Sequence, residues 1–307
     1  MHIPDGFVSP AVAAGTGLAS IAALGIALGR SQQAFGIRRA PVLGLTTAFI
    51  FAAQMINFPV AGGTSGHLLG GTLAAIILGS PWAGTICIAT VLIIQAVLFA
   101  DGGITALGAN IFNMAVVGVW VGWLLTKTLH SLLGGSKARL PLASGIAAAV
   151  SVVAAAIFCA LELALSGTAP VGIVLPAMTG IHILIGIGEA LITGGVLSYL
   201  ATARPDLLPG EQQQFRGWLV PVVSIFLVAG VLSLFASAWP DGLEKVAENL
   251  GFIKLADNIR VSVPTPFADY EIPGLGTIGT SIAGLLGSAI CFGTAFGIAQ
   301  VVKPKNV

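Results

Sequence analysis

Of the four histidines in this 307-residue chain, one follows Met1 directly. His2 therefore carries its imidazole beside the terminal amine. An unacylated amine, the next backbone nitrogen and that imidazole can close adjacent five- and six-membered rings around one metal ion. The donors would be the Met1 amine, the deprotonated amide nitrogen of His2, and His2 Nδ1. Three strong-field nitrogens near one plane suit square-planar Ni(II) or Cu(II), whereas zinc, which takes a tetrahedron, fits them poorly. A fourth corner stays open for another imidazole. His67, in the stretch GGTSGHLLGG, is best placed, because His130 lies in a basic loop and His182 within an apolar segment. Glycines around His67 allow close backbone approach, as an inserted N-terminal strand would need. Deprotonating an amide releases a proton, so affinity is expected to rise with pH. A Met-His start means little alone; the outward placement of both histidines, argued below, is what gives it weight.

The surroundings of these residues are those of a bilayer protein. Hydrophobic side chains make up 56% of the sequence and charged ones only 8%, with a mean hydropathy of +0.99, far from a soluble domain. A net charge of +1 without a long basic run excludes a nucleic-acid footprint. Cys87, Cys159 and Cys291 sit in apolar stretches without CxxC spacing and read as small buried hydrophobes. No Lys or Arg precedes Arg30, so the opening lacks the basic region of a signal peptide and is expected to be kept.

A crossing helix needs about 20 apolar residues. Such segments fall near 9–29, 41–57, 82–100, 110–127, 142–165, 171–200, 217–238 and 280–302. A shorter, Gly-rich ninth at 66–79 suits a re-entrant or protein-buried helix. The expectation is an all-α integral membrane protein of about nine helices. Arg30, Arg38, Arg39, Lys127, Lys137, Arg139, Arg204, Arg216, Lys303 and Lys305, ten of the 13 basic residues, then fall on one side. Basic loops stay cytoplasmic, so the N-terminus lies outside and the C-terminus inside. Loops 1–8, 57–66, 101–109, 166–170 and 239–279 share the outer face, which puts Met1, His2 and His67 together. Asp5, Asp101, Asp241, Glu244, Glu248, Asp257, Asp269 and Glu271 face the same way; a solvated loop accounts for most of this, with weak attraction for cations. The polar run at 201–218 divides a seven-helix core, 1–205, from a two-helix module at 217–307, with 206–216 as a cytoplasmic linker.

Other residues admit two readings each. Ala11, Gly15, Ala19, Ala23 and Ala27 form an i,i+4 stripe on the first helix, for internal packing or for docking another membrane subunit. Glu162 and Glu189 fall inside spans, where a charge costs about 2.5–3.5 kcal/mol or more, so both must face protein or water. Glu189 shares a helix face with His182, two turns away; a structural hydrogen-bond network or a proton or metal relay would explain the pair. Asn57, Asp101, Asn110 and Asn113 mark the outer ends of spans, where they serve as caps and turns or orient imidazoles. A membrane metallohydrolase using His182 and Glu189 is a rival, though this spacing is not HExxH. A passive metal channel is another. No GxxxxGK followed by Ser or Thr is present, so any ATP-driven step belongs to a partner.

MHIPDGF at the start, FAAQMINFPVAGGTSGHLLGG at 51–71, FADGGITALGANIFNMAVVG at 99–118 and VLPAMTGIHILIGIGEALIT at 174–193 resemble the CbiM/NikM substrate-binding membrane component of energy-coupling-factor transporters for nickel or cobalt. AWPDGLEKVAENLGF at 238–252 resembles the PDGLE signature of the companion subunit NikN, so the chain looks like a fusion of the two. The resemblance implies a seven-helix core in the plasma membrane whose N-terminus dips inward, with Met1, His2 and His67 as metal ligands. It also implies a transmembrane coupling subunit and two cytoplasmic ATPases as partners, the stripe on the first helix as a coupling contact, and no enzymatic activity or cofactor in this chain. The metal is substrate. The planar nitrogens and the MHIPDGF opening, against the MHIMEGF expected of cobalt-type members, favour nickel; cobalt is the alternative. For the PDGLE module the resemblance suggests help in metal loading and carries over no site residue.

Overall fold

The computed structural model describes residues 1–31, 40–208, 217–257 and 265–302. Arg38, Arg39, Arg216, Lys303, Lys305 and most of the 206–216 linker lie outside the described residues. The expected apolar segments are helical: α1 (Pro10–Ser31), α2 (Ala40–Gln54), α3 (Gly71–Leu78), α4 (Pro81–Ile94), α5 (Leu107–Asn110) running on into α6 (Val119–Leu132), α7 (Leu140–Leu165), α8 (Val171–Ala203), α9 (Leu219–Gly230) and α11 (Gly276–Val302), with a short polar helix, α10 (Gly242–Leu250), between the last two. Among the described residues six stretches, Pro10–Ser31, Pro81–Leu98, Leu107–Leu132, Lys137–Leu165, Val171–Ala203 and Gly276–Val302, are long and apolar enough to cross a membrane.

The remaining three are shorter than the sequence suggests. α2 stops at Gln54, and α9 tightens into a 3₁₀ turn at Leu232–Phe235. The 66–79 segment is helical only over the eight residues of α3, about 12 Å at 1.5 Å per residue. An antiparallel pair, β1 (Phe58–Pro59) and β2 (Ser65–Gly66), precedes it. Gly70, with φ 75°, holds a left-handed turn that a β-carbon would disfavour, and so delays the start of α3. Non-helical backbone at this depth is tolerated because protein surrounds it: every residue of α3 is buried.

α3 and α4 form the centre, with α7 and α8 packed along each other on one side and α2 along α11 on the other. α4 starts at an N-cap, Ser80, whose hydroxyl accepts from Ala83 N–H, and has Pro81 in its first turn. α1 lies outermost, with Leu18 and Ile21 about 70% exposed, as lipid contact requires. The downstream module joins the core through α11, where Gly287 leaves room for the ring of Phe51. An aromatic cluster also links them: Tyr270 stacks on Phe99 at 4.9 Å, with Phe267 and Phe51 beside it.

Wide π-helical turns at Gln95–Phe99 and Ile111–Gly118 flank the loop between α4 and α6. Such turns concentrate at functional sites. Here they bracket Asp101 and Asn110, which both hold the N-terminal segment. The expected outer loops meet at one end of the bundle: Ser9 N–H donates to Ser166 Oγ, Thr168 Oγ1 to the Phe7 carbonyl, and Phe267 N–H to the Leu98 carbonyl. At the other ends of the same helices, Lys127, His130 and Lys137 line a shallow cleft with Pro205.

Candidate metal centre

The first seven residues fold back into the protein. Met1, His2, Ile3 and Phe7 are all buried. Ile3 is held like a strand residue: its N–H donates to Asn110 Oδ1 at 2.7 Å, Asn110 Nδ2 donates to its carbonyl at 3.1 Å, and Gly103 N–H donates to the same carbonyl at 2.8 Å. Asp5 accepts from Thr105 N–H at 2.7 Å and from Ile104 N–H at 3.2 Å. Only glycine fits at position 103, since a β-carbon there would run into the backbone nitrogen of Asp5. The sequence assigns Asn110 to capping or to orienting an imidazole; it instead fixes the backbone beside His2.

This insertion brings the Met1 nitrogen to 2.6 Å from His67 Nε2, and the rings of His2 and His67 lie 5.0 Å apart, edge to face. His67 is oriented through Nδ1, 3.0 Å from the Leu68 carbonyl. Its loop is pinned from α8, because Glu189 accepts from Leu69 N–H at 2.6 Å and Gly70 N–H at 2.9 Å. Glu189 thus satisfies two amides ahead of α3 and sets the height of His67. It does not meet His182, whose Nδ1 is 2.8 Å from the Met178 carbonyl. The two side chains bond to separate backbone groups, one on the His67 loop and one within α8. Glu162, likewise buried, accepts from Asn113 Nδ2 at 2.6 Å.

His2 is placed differently from a closed chelate. Its Nδ1 points to Asp101, 3.1 Å from Oδ1 and 3.3 Å from the carbonyl. Asp101 Oδ2 in turn accepts from the Tyr270 hydroxyl at 2.6 Å, and that hydroxyl accepts from Gln95 Nε2. The imidazole must turn away from Asp101 before Nδ1 can join Met1 and His67 at one ion. Asn57 lies beside the site, where its carbonyl accepts from Ser237 N–H.

One residue in contact with Met1 and His67 is not found by the sequence reading. Asp241 of the PDGLE sequence places Oδ2 2.5 Å from the Met1 amine and 3.9 Å from His67 Nε2. It is the N-cap of α10 in a capping box: Oδ1 accepts from Glu244 N–H, and Glu244 Oε2 accepts from Asp241 N–H. Asp-x-x-Glu after a proline is legible as a helix start, but nothing local says that this start faces residue 1. Burial alone would raise the Asp241 pKa; the Met1 ammonium, His67 and the amide of Glu244 outweigh it and hold the carboxyl well below its ordinary value. His67 is held well below its usual value by burial, then by the ammonium and His2. Burial lowers His2 as well, against the opposing pull of Asp101. Burial thus favours the neutral form of both imidazoles, the form that can bind a metal. Among the described residues no group of three His, Cys, Asp or Glu side chains forms a metal cluster, so a site here depends on the backbone amine.

The stripe on α1 does not keep one environment. Ala11, Gly15 and Ala19 are exposed, Ala23 is half-buried and Ala27 fully buried. Steps of four residues advance 400°, so the stripe winds by about 40° per step and leaves the outer face.

Comparison with known proteins follows the two-part layout. Residues 2–207 match the family described as "Cobalt uptake substrate-specific transmembrane region", and residues 216–304 match the PDGLE domain. The chain is 40% identical over 311 residues to a putative fused nickel transport protein NikMN of Archaeoglobus fulgidus, with 99% of each chain covered. It is 34% identical over 308 residues to a probable fused nickel transport protein LarMN of Lactiplantibacillus plantarum, with 90% of each covered. A crystal structure of a truncated transition metal transporter is similar at TM-score 0.59 and 39% identity, over 66% of this chain and 98% of that one.

Proposed function

Because the chain belongs to the family of cobalt-uptake substrate-specific transmembrane regions and carries a PDGLE domain behind it, we propose that it captures Ni(II) at the outer face of the plasma membrane with the Met1 amine, the His2 amide nitrogen and Nδ1, and His67 Nε2. Transition-metal uptake is the function of the chain, and it is a multi-pass membrane transport component rather than an enzyme. The finer reading is nickel selectivity through a planar four-nitrogen set. The observation supporting it is the 2.6 Å between the Met1 nitrogen and His67 Nε2. Adjacent corners of a square with bonds of about 2.0 Å stand about 2.8 Å apart, a separation close to the one observed. Asp101 and Asn110 act on His2 and on the backbone beside it, Asn57 borders the site, and Glu189 sets the His67 loop, with His182 behind it. Cobalt, bound by the same atoms, is the second reading, favoured by the family's description.

We read residues 1–205 as the metal-binding core and 217–307 as the companion module, joined by 206–216. A transmembrane coupling subunit and two cytoplasmic ATPases would supply the power stroke, with the exposed part of the α1 stripe, Ala11, Gly15 and Ala19, as the contact surface; Ala23 and Ala27 pack inward.

The test is nickel stoichiometry and visible absorption on protein whose amine is free, beside protein extended by one N-terminal residue and the His67→Ala variant. A yellow, diamagnetic one-to-one complex, lost in both variants, is the expected result. Unchanged binding by the extended protein would remove Met1 from the site.

A further inference from the structure

Three separations define a figure around the terminal amine. The Met1 nitrogen is 2.6 Å from His67 Nε2 and 2.5 Å from Asp241 Oδ2, and those two atoms are 3.9 Å apart. In a square of donors around an ion with bonds of about 2.0 Å, edges measure about 2.8 Å and diagonals about 4.0 Å. The three atoms approximate two edges and one diagonal, with the amine at the corner and His67 opposite Asp241. We propose that Asp241 is itself a metal ligand, belonging to a loading station in which the incoming divalent ion is first held by His67 Nε2, the Met1 amine and the Asp241 carboxylate, before His2 replaces the carboxylate. This rests on the nickel-capture reading given above.

Asp241 lines a cleft of about 900 Å³ between core and module, where Asp5, Asp101 and Glu244 also line the wall. A hydrated divalent ion arriving there meets an anionic oxygen, a ligand that suits an ion still carrying water. As the ion binds it displaces the ammonium proton to the water of the cleft. The nitrogens of His2 are not ready at that stage, since Nδ1 is on Asp101 and the amide still holds its proton.

The carboxylate is also fixed for the task. Oδ1 is used by the capping box, which leaves Oδ2 for the ion. The Trp239 and Pro240 carbonyls accept from the hydroxyl and the N–H of Ser65, two residues before His67, so the two ligands are tied to one piece of backbone. This assigns the PDGLE module a chemical role: it supplies one temporary ligand from the side by which the ion enters.

The experiment follows growth of the yellow four-nitrogen band by stopped flow after mixing Ni(II) with the full chain, wild type against Asp241→Asn. Asparagine caps helices as well as aspartate, so α10 is kept. The expected result is loading slowed by about tenfold or more, the scale on which partners of ligands act, with the final spectrum and one-to-one stoichiometry unchanged. Asp241→Glu should recover part of the rate, and Glu248→Gln, which removes a carboxylate of α10 that does not line the cleft, should load at the wild-type rate. In a second measurement, His2→Ala, which cannot form the planar set, should retain a weak Co(II) site that is lost on adding Asp241→Asn. Loading at the wild-type rate in Asp241→Asn, or faster, overturns the proposal and makes Asp241 only a counter-ion of the amine. Absence of any yellow complex in the wild type would instead defeat the nickel-capture reading on which it stands.

Discussion

The arrangement around Met1 is costly to assemble, because it buries charged groups, and is held by charge and hydrogen bonds. A buried ammonium needs a partner, and Asp241 provides it. The pH response follows. His67, shifted down by burial first and the ammonium second, stays neutral in the folded protein while the unfolded chain protonates near pH 6.5. Its contribution to docking is present above about pH 6.5 and is lost as pH falls below that value. Asp241, shifted down by the ammonium and His67 against burial, contributes above about pH 3.9 and loses that contribution at lower pH. Exchange protection of the Ile3 amide, corrected for intrinsic rate, should therefore decline between pH 7 and 5 in metal-free protein; protection flat over that range would contradict it. Glu189→Gln leaves one of two buried amides facing an NH₂ group and should cost about 1–3 kcal/mol, seen as a lower unfolding temperature together with weaker nickel binding. Loss of stability with unchanged affinity would mean that Glu189 does not govern His67.

At the scale of elements, the site is made by segments that are not regular structure. The N-terminal seven residues, the 55–70 loop ahead of α3, the 100–110 loop and the start of α10 converge, while the long helices hold them in place. Gly103→Ala tests that insertion. Its β-carbon would meet backbone of Pro4 and Asp5 as well as the Asp5 carboxylate, so the N-terminal segment must move. We expect the fold to persist and nickel affinity to fall by about a hundredfold, as a displacement near 1 Å can cost; isothermal titration measures it. Gly15→Ala, with open space around it, should bind nickel as wild type does. The same elements show what periodicity could and could not supply. Long apolar runs such as α7 and α8 were legible because lipid and core both demand apolar residues over a fixed length. α3 was legible as short and buried, but its start was set by Gly70 and by a carboxylate over a hundred positions downstream.

At the scale of the whole molecule, core and module form a cleft above the candidate centre, and the outer loops of both meet there. Orientation in the membrane is open to direct measurement. The native cysteines are all buried, so background labelling should be low, and single cysteines can be introduced at Lys245, on α10, and at Lys137, at the other end. In intact cells a membrane-impermeant maleimide should label Lys245→Cys and spare Lys137→Cys. The reverse pattern would invert the assignment and place the Met1 site inside.

By itself the sequence determined the class of protein, the succession of apolar helices, and the kinds of donor that could bind a metal, since composition, segment length and ligand chemistry are local properties. The pairing of Met1 with His67 was legible because both lie in loops expected on one face. Only the tertiary structure decided that Asp241 reaches the Met1 amine, that His2 rests on Asp101, that Glu189 serves the His67 loop rather than His182, and that the α1 stripe winds away from its outer face. Each of these depends on contacts across about 100 to 240 positions, or on the small difference between four residues and one helical turn, and neither is set by the identity of neighbouring residues.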